Sequence, residues 1–132
     1  MIALLDTHIL IWWLTDMAQL SEAQREVLKS ASPDSPVHVS DISLWEVATL
    51  HSLGRIRLAL PLRDWLDKAV APPLVRRQAI SPAVAAEVAA LPDSFHRDPA
   101  DRIIVATSRI LGATLLTRDH RIVAAGLTAT LR

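Results

Sequence analysis

IALLDTHILIWWL, residues 2 to 14, decides how the rest of the chain is read. IALL is a run of four apolar residues, the length of a buried strand, and it stops at Asp6. HILIWWL is apolar nearly all round, so as a helix it must be covered on most faces by protein or by a partner. The stretch therefore predicts a buried strand that delivers a carboxylate at its C-terminal end and turns into a helix. An acid placed there, next to Thr7, needs partners of its own.

Outward from this unit the alternation continues. Ser21 and Gln24 form a capping box before a helix through about Lys29, which Pro33 and Pro36 break. VHVS, residues 37 to 40, alternates like a strand, and residues 41 to 53 read as a helix carrying Glu46 and stopped by Gly54. RIRLAL is a connector, and Pro61 opens a helix with Trp65 and Leu66 that ends at Pro72 and Pro73. VRRQAI is a third strand, followed by a helix capped by Ser81 and started by Pro82. After the loop LPDSFHRD, the apolar spacing of Ile103, Ile104, Ala106, Ile110 and Leu111 predicts a helix from Pro99 to Leu111, closed by Gly112. ATLLT, a short helix around Ile122 to Ala125, and a last strand in LTATL complete the chain. Strands alternating with helices predict an α/β fold, a single domain over residues 1 to 132 whose mainly parallel sheet of about five strands has helices on both faces.

Composition narrows the function. A chain of 132 residues buries roughly two-thirds of its unfolded surface as one domain. No segment approaches the ~20 apolar residues of a membrane span, and Asp6 and His8 interrupt the apolar start where a secretion signal would be continuous. A cytoplasmic protein without a membrane role is the expectation. Zero cysteines exclude disulfides and thiolate metal sites. Net charge is zero, so no global positive field advertises nucleic acid. Yet only two of the fourteen basic residues, Lys29 and Lys68, are lysine. The arginines Arg97, Arg102, Arg118 and Arg121 lie close in sequence to acids and suit bidentate recognition of phosphate.

The acids carry the chemistry. In an open parallel sheet ligands bind beyond the carboxyl ends of the strands, where Asp6 and Asp119 each follow an apolar strand. Glu46, Asp98 and Asp101 belong to helix beginnings that can face the same edge. Taken singly, each has an ordinary reading: Glu46 completes a capping box with Ser43, Asp98 caps a helix, Asp101 favours its dipole, and Asp119 is a turn residue. Taken together they form a cluster of four or five carboxylates whose repulsion a divalent cation would relieve, and all-oxygen ligands suit Mg²⁺ or Mn²⁺. One or two such ions support phosphodiester hydrolysis. His8, His96 and His120 lie near these acids without zinc-site spacing and are read as supporting or substrate contacts. Trp12, Trp13 and Trp45 are read as core residues of their helices, with stacking on RNA bases the second reading. No Gly-rich phosphate loop or GxSxG elbow is present.

LLDTHILIWWL, VSDISLWEVATLHSLGRI, HRDPADRIIVATS and LLTRD, in this order and across nearly the whole chain, resemble the PIN-domain nucleases, in particular the VapC-type toxins of bacterial toxin–antitoxin pairs. The resemblance implies a parallel sheet flanked by helices and an endoribonuclease dependent on Mg²⁺ or Mn²⁺. It places the acidic quartet on Asp6, Glu46, Asp101 and Asp119, as catalytic residues and metal ligands, with Asp6 and Asp101 the principal ligands. It makes Asp98 an additional acid and gives Thr117 an orienting hydrogen bond, with Thr7 beside Asp6 in a similar supporting place. Ala100 stands where relatives often carry a bulky aromatic. A homodimer, an RNA substrate and a cognate VapB-type antitoxin are implied partners. A non-catalytic partner-binding module is the alternative. A metal-dependent phosphatase fits less well, since His8 stands where a haloacid-dehalogenase-like site wants a second Asp. A phospho-aspartate receiver would want a lysine after a late strand.

Overall fold

A computed structural model describes residues 1–132 and contains five strands in one fully parallel sheet, with spatial order β3-β2-β1-β4-β5. The strands are β1 (Ala3–Leu5), β2 (Val37–Ser40), β3 (Val75–Gln78), β4 (Thr114–Leu116) and β5 (Ala129–Leu131). The helices are α1 (Thr7–Thr15), α2 (Glu22–Lys29), α3 (Asp41–Ser52), α4 (Leu62–Ala69), α5 (Pro82–Ala90), α6 (Pro99–Leu111) and α7 (His120–Ala125). The expected alternation and the five strands are all present. None of the helices is long and apolar enough to cross a membrane.

Apolar runs flanked by helices dictate a two-faced core, and the pleat divides it. Leu4 and Leu115 point into a cluster with Val84, Phe95, Ile104 and Ile122, while their neighbours Leu5 and Leu116 point into another with Ile9, Leu10, Val39, Val47 and Trp65. Two faces buried on different helices explain why β1 and β4 read as continuous apolar runs rather than alternating ones. Most of HILIWWL is covered internally: Ile9, Leu10 and Ile11 are buried, Trp12 and Trp13 half-buried, and His8 and Leu14 exposed.

Caps set the helix starts. Ser21 and Gln24 exchange the reciprocal bonds of a capping box, and Ser81 accepts from the Val84 amide ahead of Pro82. Gly112 and Gly126 end α6 and α7 with φ of +62° and +64°, a left-handed backbone that favours glycine. α7 begins earlier than its apolar residues suggest, because the Asp119 carboxylate accepts the Arg121 amide at 2.9 Å and starts the helix at His120.

The position of β1 between β2 and β4 reverses the order of winding. The chain builds β1, β2 and β3 to one side, then returns to add β4 and β5 on the other. A crevice opens at such a switch point beyond the carboxyl ends of the strands. Asp6 leaves β1 and Thr117 leaves β4 there, and the Asp6 amide still donates to the Leu116 carbonyl at 2.9 Å.

Candidate active site

At that edge lies a cavity of about 580 Å³ lined by Asp6, Glu46, Asp98, Asp101 and Asp119, together with Arg118, Arg121, His8, His120 and Trp12. Each acid arrives by a different route. Asp6 ends β1 and caps α1, accepting the Thr7 amide at 2.8 Å. Its second oxygen accepts the Thr117 hydroxyl at 2.7 Å, and the same hydroxyl accepts the Asp119 amide at 3.0 Å. One buried threonine thus ties the acids of β1 and β4 together. Asp98 caps α6 by accepting the Asp101 amide at 3.1 Å, which places Asp101 in the first turn facing the crevice.

Glu46 is no capping residue. Ser40 caps α3, accepting the Ile42 amide, and Ser43 is buried inside the helix, hydrogen-bonded to the Thr7 hydroxyl at 2.9 Å. The Thr7 hydroxyl also donates to the Glu46 carboxylate. Thr7 therefore joins α1 to α3 as Thr117 joins β4 to β1.

Electrostatics mark three of these acids as held together against their own repulsion. Burial raises the Asp6 carboxyl above its ordinary range despite the bonds from Thr117 and Thr7. Burial also pushes Glu46 up to about 7, opposed by Thr7 and reinforced by the charges of Asp6, Asp101 and Asp98. Asp101 rises through burial and through the charges of Asp6, Asp98 and Asp119, although His96 Nε2 is hydrogen-bonded to it at 2.7 Å. Asp119 goes the other way. Burial would raise it, but the Arg121 side chain and amide outweigh that and hold it low.

The acids share a cavity but do not stand as a closed metal cage, since no three acid or histidine side chains form a ready-made group. Each is turned toward a partner: Asp6 to Thr117, Glu46 to Thr7, Asp101 to His96 and Asp119 to Arg121. The repulsion that a divalent cation is expected to relieve is met in part by hydroxyl, imidazole and guanidinium partners. The donor set fits a hard divalent cation all the same. It is entirely oxygen, three members carry raised proton affinity, and Mg²⁺ keeps several waters rather than requiring a protein cage.

The arginines divide. Arg118 and Arg121 line the cavity, Arg118 donating to the Gln19 carbonyl at 2.6 Å and Arg121 lying 3.8 Å from Asp101. Arg97 is exposed beside Asp93 and does not line it. Arg102 corrects the sequence reading outright: only 7% exposed, it donates to the carbonyls of Phe95 at 3.0 Å and His96 at 3.4 Å, out of reach of RNA. Trp45 corrects it as well, being 60% exposed on α3 rather than part of the core. Ala100 is buried at the start of α6.

Two contributors were not placed at the site by the sequence. Gln24, legible only as half of a capping box, is fully buried and donates to the Thr117 and Leu131 carbonyls at 3.2 and 3.0 Å, bracing the ends of β4 and β5. Trp12 lines the acid cavity. Its spacing of four residues from His8, one turn along the same helix, was the available signal.

The chain belongs to the PIN-domain family, whose model matches residues 3–126. It is similar to ribonuclease VapC22 of Mycobacterium tuberculosis (strain ATCC 25618 / H37Rv), with 40% identity over 119 residues, 90% of this chain and 88% of that protein. Its fold matches VapBC-1 from nontypeable Haemophilus influenzae with a TM-score of 0.75 at 14% identity, covering 99% of this chain and 97% of that one. It also matches VapBC2 from Rickettsia felis, solved bound to a DNA fragment from their promoter, with a TM-score of 0.74 at 15% identity over 99% and 98% of the two chains.

Proposed function

We infer that this protein is a divalent-metal-dependent endoribonuclease, the toxin of a toxin–antitoxin pair, folded as one PIN domain over residues 1 to 132. The observation that carries the reading is the convergence of Asp6, Glu46, Asp101 and Asp119 on one cavity at the switch point of the sheet. The ribonuclease name of the VapC22 relative supports the substrate class. The VapBC complexes among the structural neighbours support an antitoxin as partner, and the family resemblance adds a second copy of the chain.

Asp6 and Asp101 would be the principal ligands of one or two Mg²⁺ or Mn²⁺ ions, with Glu46 and Asp119 completing the oxygen set. When bound, such an ion supplies Lewis acidity and lowers the pKa of water for in-line attack on a phosphodiester. Thr117 holds Asp6 and Asp119 in register, and Thr7 aims Glu46 into the cavity. A Glu46 carboxylate oxygen not engaged by the ion would accept the proton of the attacking water. Arg118 and Arg121 offset the negative potential of the cavity and bind the phosphate.

Asp6→Asn and Asp101→Asn keep the shape of the site and remove ligand charge. Both purified variants are expected to stay folded yet lose Mn²⁺-dependent RNA cleavage at saturating RNA. The loss should exceed the roughly 10- to 100-fold that removing a supporting partner costs. Full cleavage by both would overturn the assignment.

A further inference from the structure

Among the side chains that line the acid cavity, Trp12 is the one that is apolar. It follows His8 by one turn of α1, with ring centroids 5.5 Å apart and planes inclined by 50°. Trp12 packs against the core beneath α1, yet as a whole is only half-buried. Core packing alone does not account for this placement, because Ile9, Leu10 and Ile11 on the same helix are fully enclosed. Metal or acid chemistry does not account for it either, since an indole offers neither a ligand nor a titrating group. What an aromatic face contributes beside a phosphate-binding cavity is a stacking surface for a base.

Reach supports that role. Asp6 caps α1 and Trp12 lies six residues further on, an axial offset of about 9 Å, and both line the same cavity. A phosphate at the acids therefore brings a neighbouring nucleotide to the ring. A base held in a duplex has both faces covered, so only an unpaired, splayed base can use the surface. We propose that Trp12, supported by His8, is a stacking ledge that accepts an unpaired nucleobase flanking the scissile phosphate. This rests on the ribonuclease reading above.

The test is a cycle on the full chain, crossing Trp12→Ala with removal of one base at a time from an unstructured eight-nucleotide RNA. It is read as kcat/KM with Mn²⁺ and as Kd by fluorescence anisotropy in chelator. Trp12→Ala is expected to lose roughly 5- to 150-fold on intact RNA, the range of one base–aromatic stack. Trp12→Phe should retain most of the affinity, which guards against a folding defect. At one flanking position, base removal should cost the wild type a similar factor and cost Trp12→Ala nothing further. Losses that multiply at every position, or wild-type behaviour by Trp12→Ala, would overturn the ledge while leaving the ribonuclease reading intact. A wild-type protein that neither cuts nor binds any RNA would remove both.

Discussion

Glu46 shows how a single residue passes from ordinary to exceptional through its surroundings. In sequence it sits three residues after a serine, as a capping-box glutamate does; in the fold that serine is interior and the glutamate faces three aspartates. Its carboxyl titrates near 7 in the folded chain against an ordinary 4.5, so between those values the folded state binds more protons than the unfolded one. The associated stability is fully present below the unfolded value and is lost as pH rises through the folded one. Asp6 and Asp101 are shifted in the same direction and add to the effect. Asp119 is shifted the opposite way, so its contribution is lost only as pH falls through its own low range. With divalent ions chelated, the melting temperature is expected to fall from about pH 5 to about pH 8, and Glu46→Gln should remove much of that fall. Mn²⁺ should restore the wild type at the higher pH, as a ligand that binds only the folded state does. A wild-type melting temperature that is flat across this range would contradict the electrostatic account.

The decisive element is α6 with the loop before it. Pro99 and the Asp98 cap were legible as a helix start, and they do orient Asp101. The role of Arg102 was not legible, because an arginine after an acid looks alike whether it faces solvent or turns inward. Here it turns inward and gathers the carbonyls of Phe95 and His96, with its guanidinium 5.8 Å from the centre of the Phe95 ring. The anchored loop then sets His96 against Asp101. Arg102→Ala is expected to cost about 1 to 3 kcal/mol by urea denaturation, the penalty of leaving buried carbonyls unpaired. It should also weaken Mn²⁺ affinity about 10- to 100-fold by releasing the partner of Asp101, a proposed ligand, while the salt dependence of RNA binding is retained. Arg121→Ala should instead flatten that salt dependence. If Arg102→Ala flattened it too, with stability unchanged, the inward reading would be wrong.

The whole molecule leaves apolar surface that its own core does not absorb. Leu14, Met17 and Leu74 are exposed near the end of α1, where a groove of about 330 Å³ runs between Trp13 and the Pro72–Val75 segment. Trp45 is exposed on α3 and Leu53 at its C-terminal cap. Surface of this kind on a small domain favours association, in keeping with the antitoxin and second copy proposed above. Expression of the chain alone is expected to arrest growth or give aggregated protein. Coexpression with its antitoxin should give a soluble complex with a higher melting temperature, since binding stabilises the folded form. A harmless chain that stays monomeric at high concentration in light scattering would count against both partners.

Period, punctuation and caps belong to neighbours in the chain, so the sequence by itself determined the strand and helix alternation, the parallel sheet and the identity of the acids that end strands or begin helices. LLDTHILIWWL, HRDPADR and LLTRD were readable because each encodes a local junction. The tertiary structure alone decided which side chains meet across 36 to 111 residues: Thr7 with Ser43, Thr7 with Glu46, and Thr117 with Asp6. It also decided which way long side chains turn, inward for Arg102 and Gln24, into the acid cavity for Trp12 and into solvent for Trp45. The physical reason is the same in each case. Local preferences are short-ranged and written in spacing, whereas burial, proton affinity and pairing depend on what the fold brings alongside.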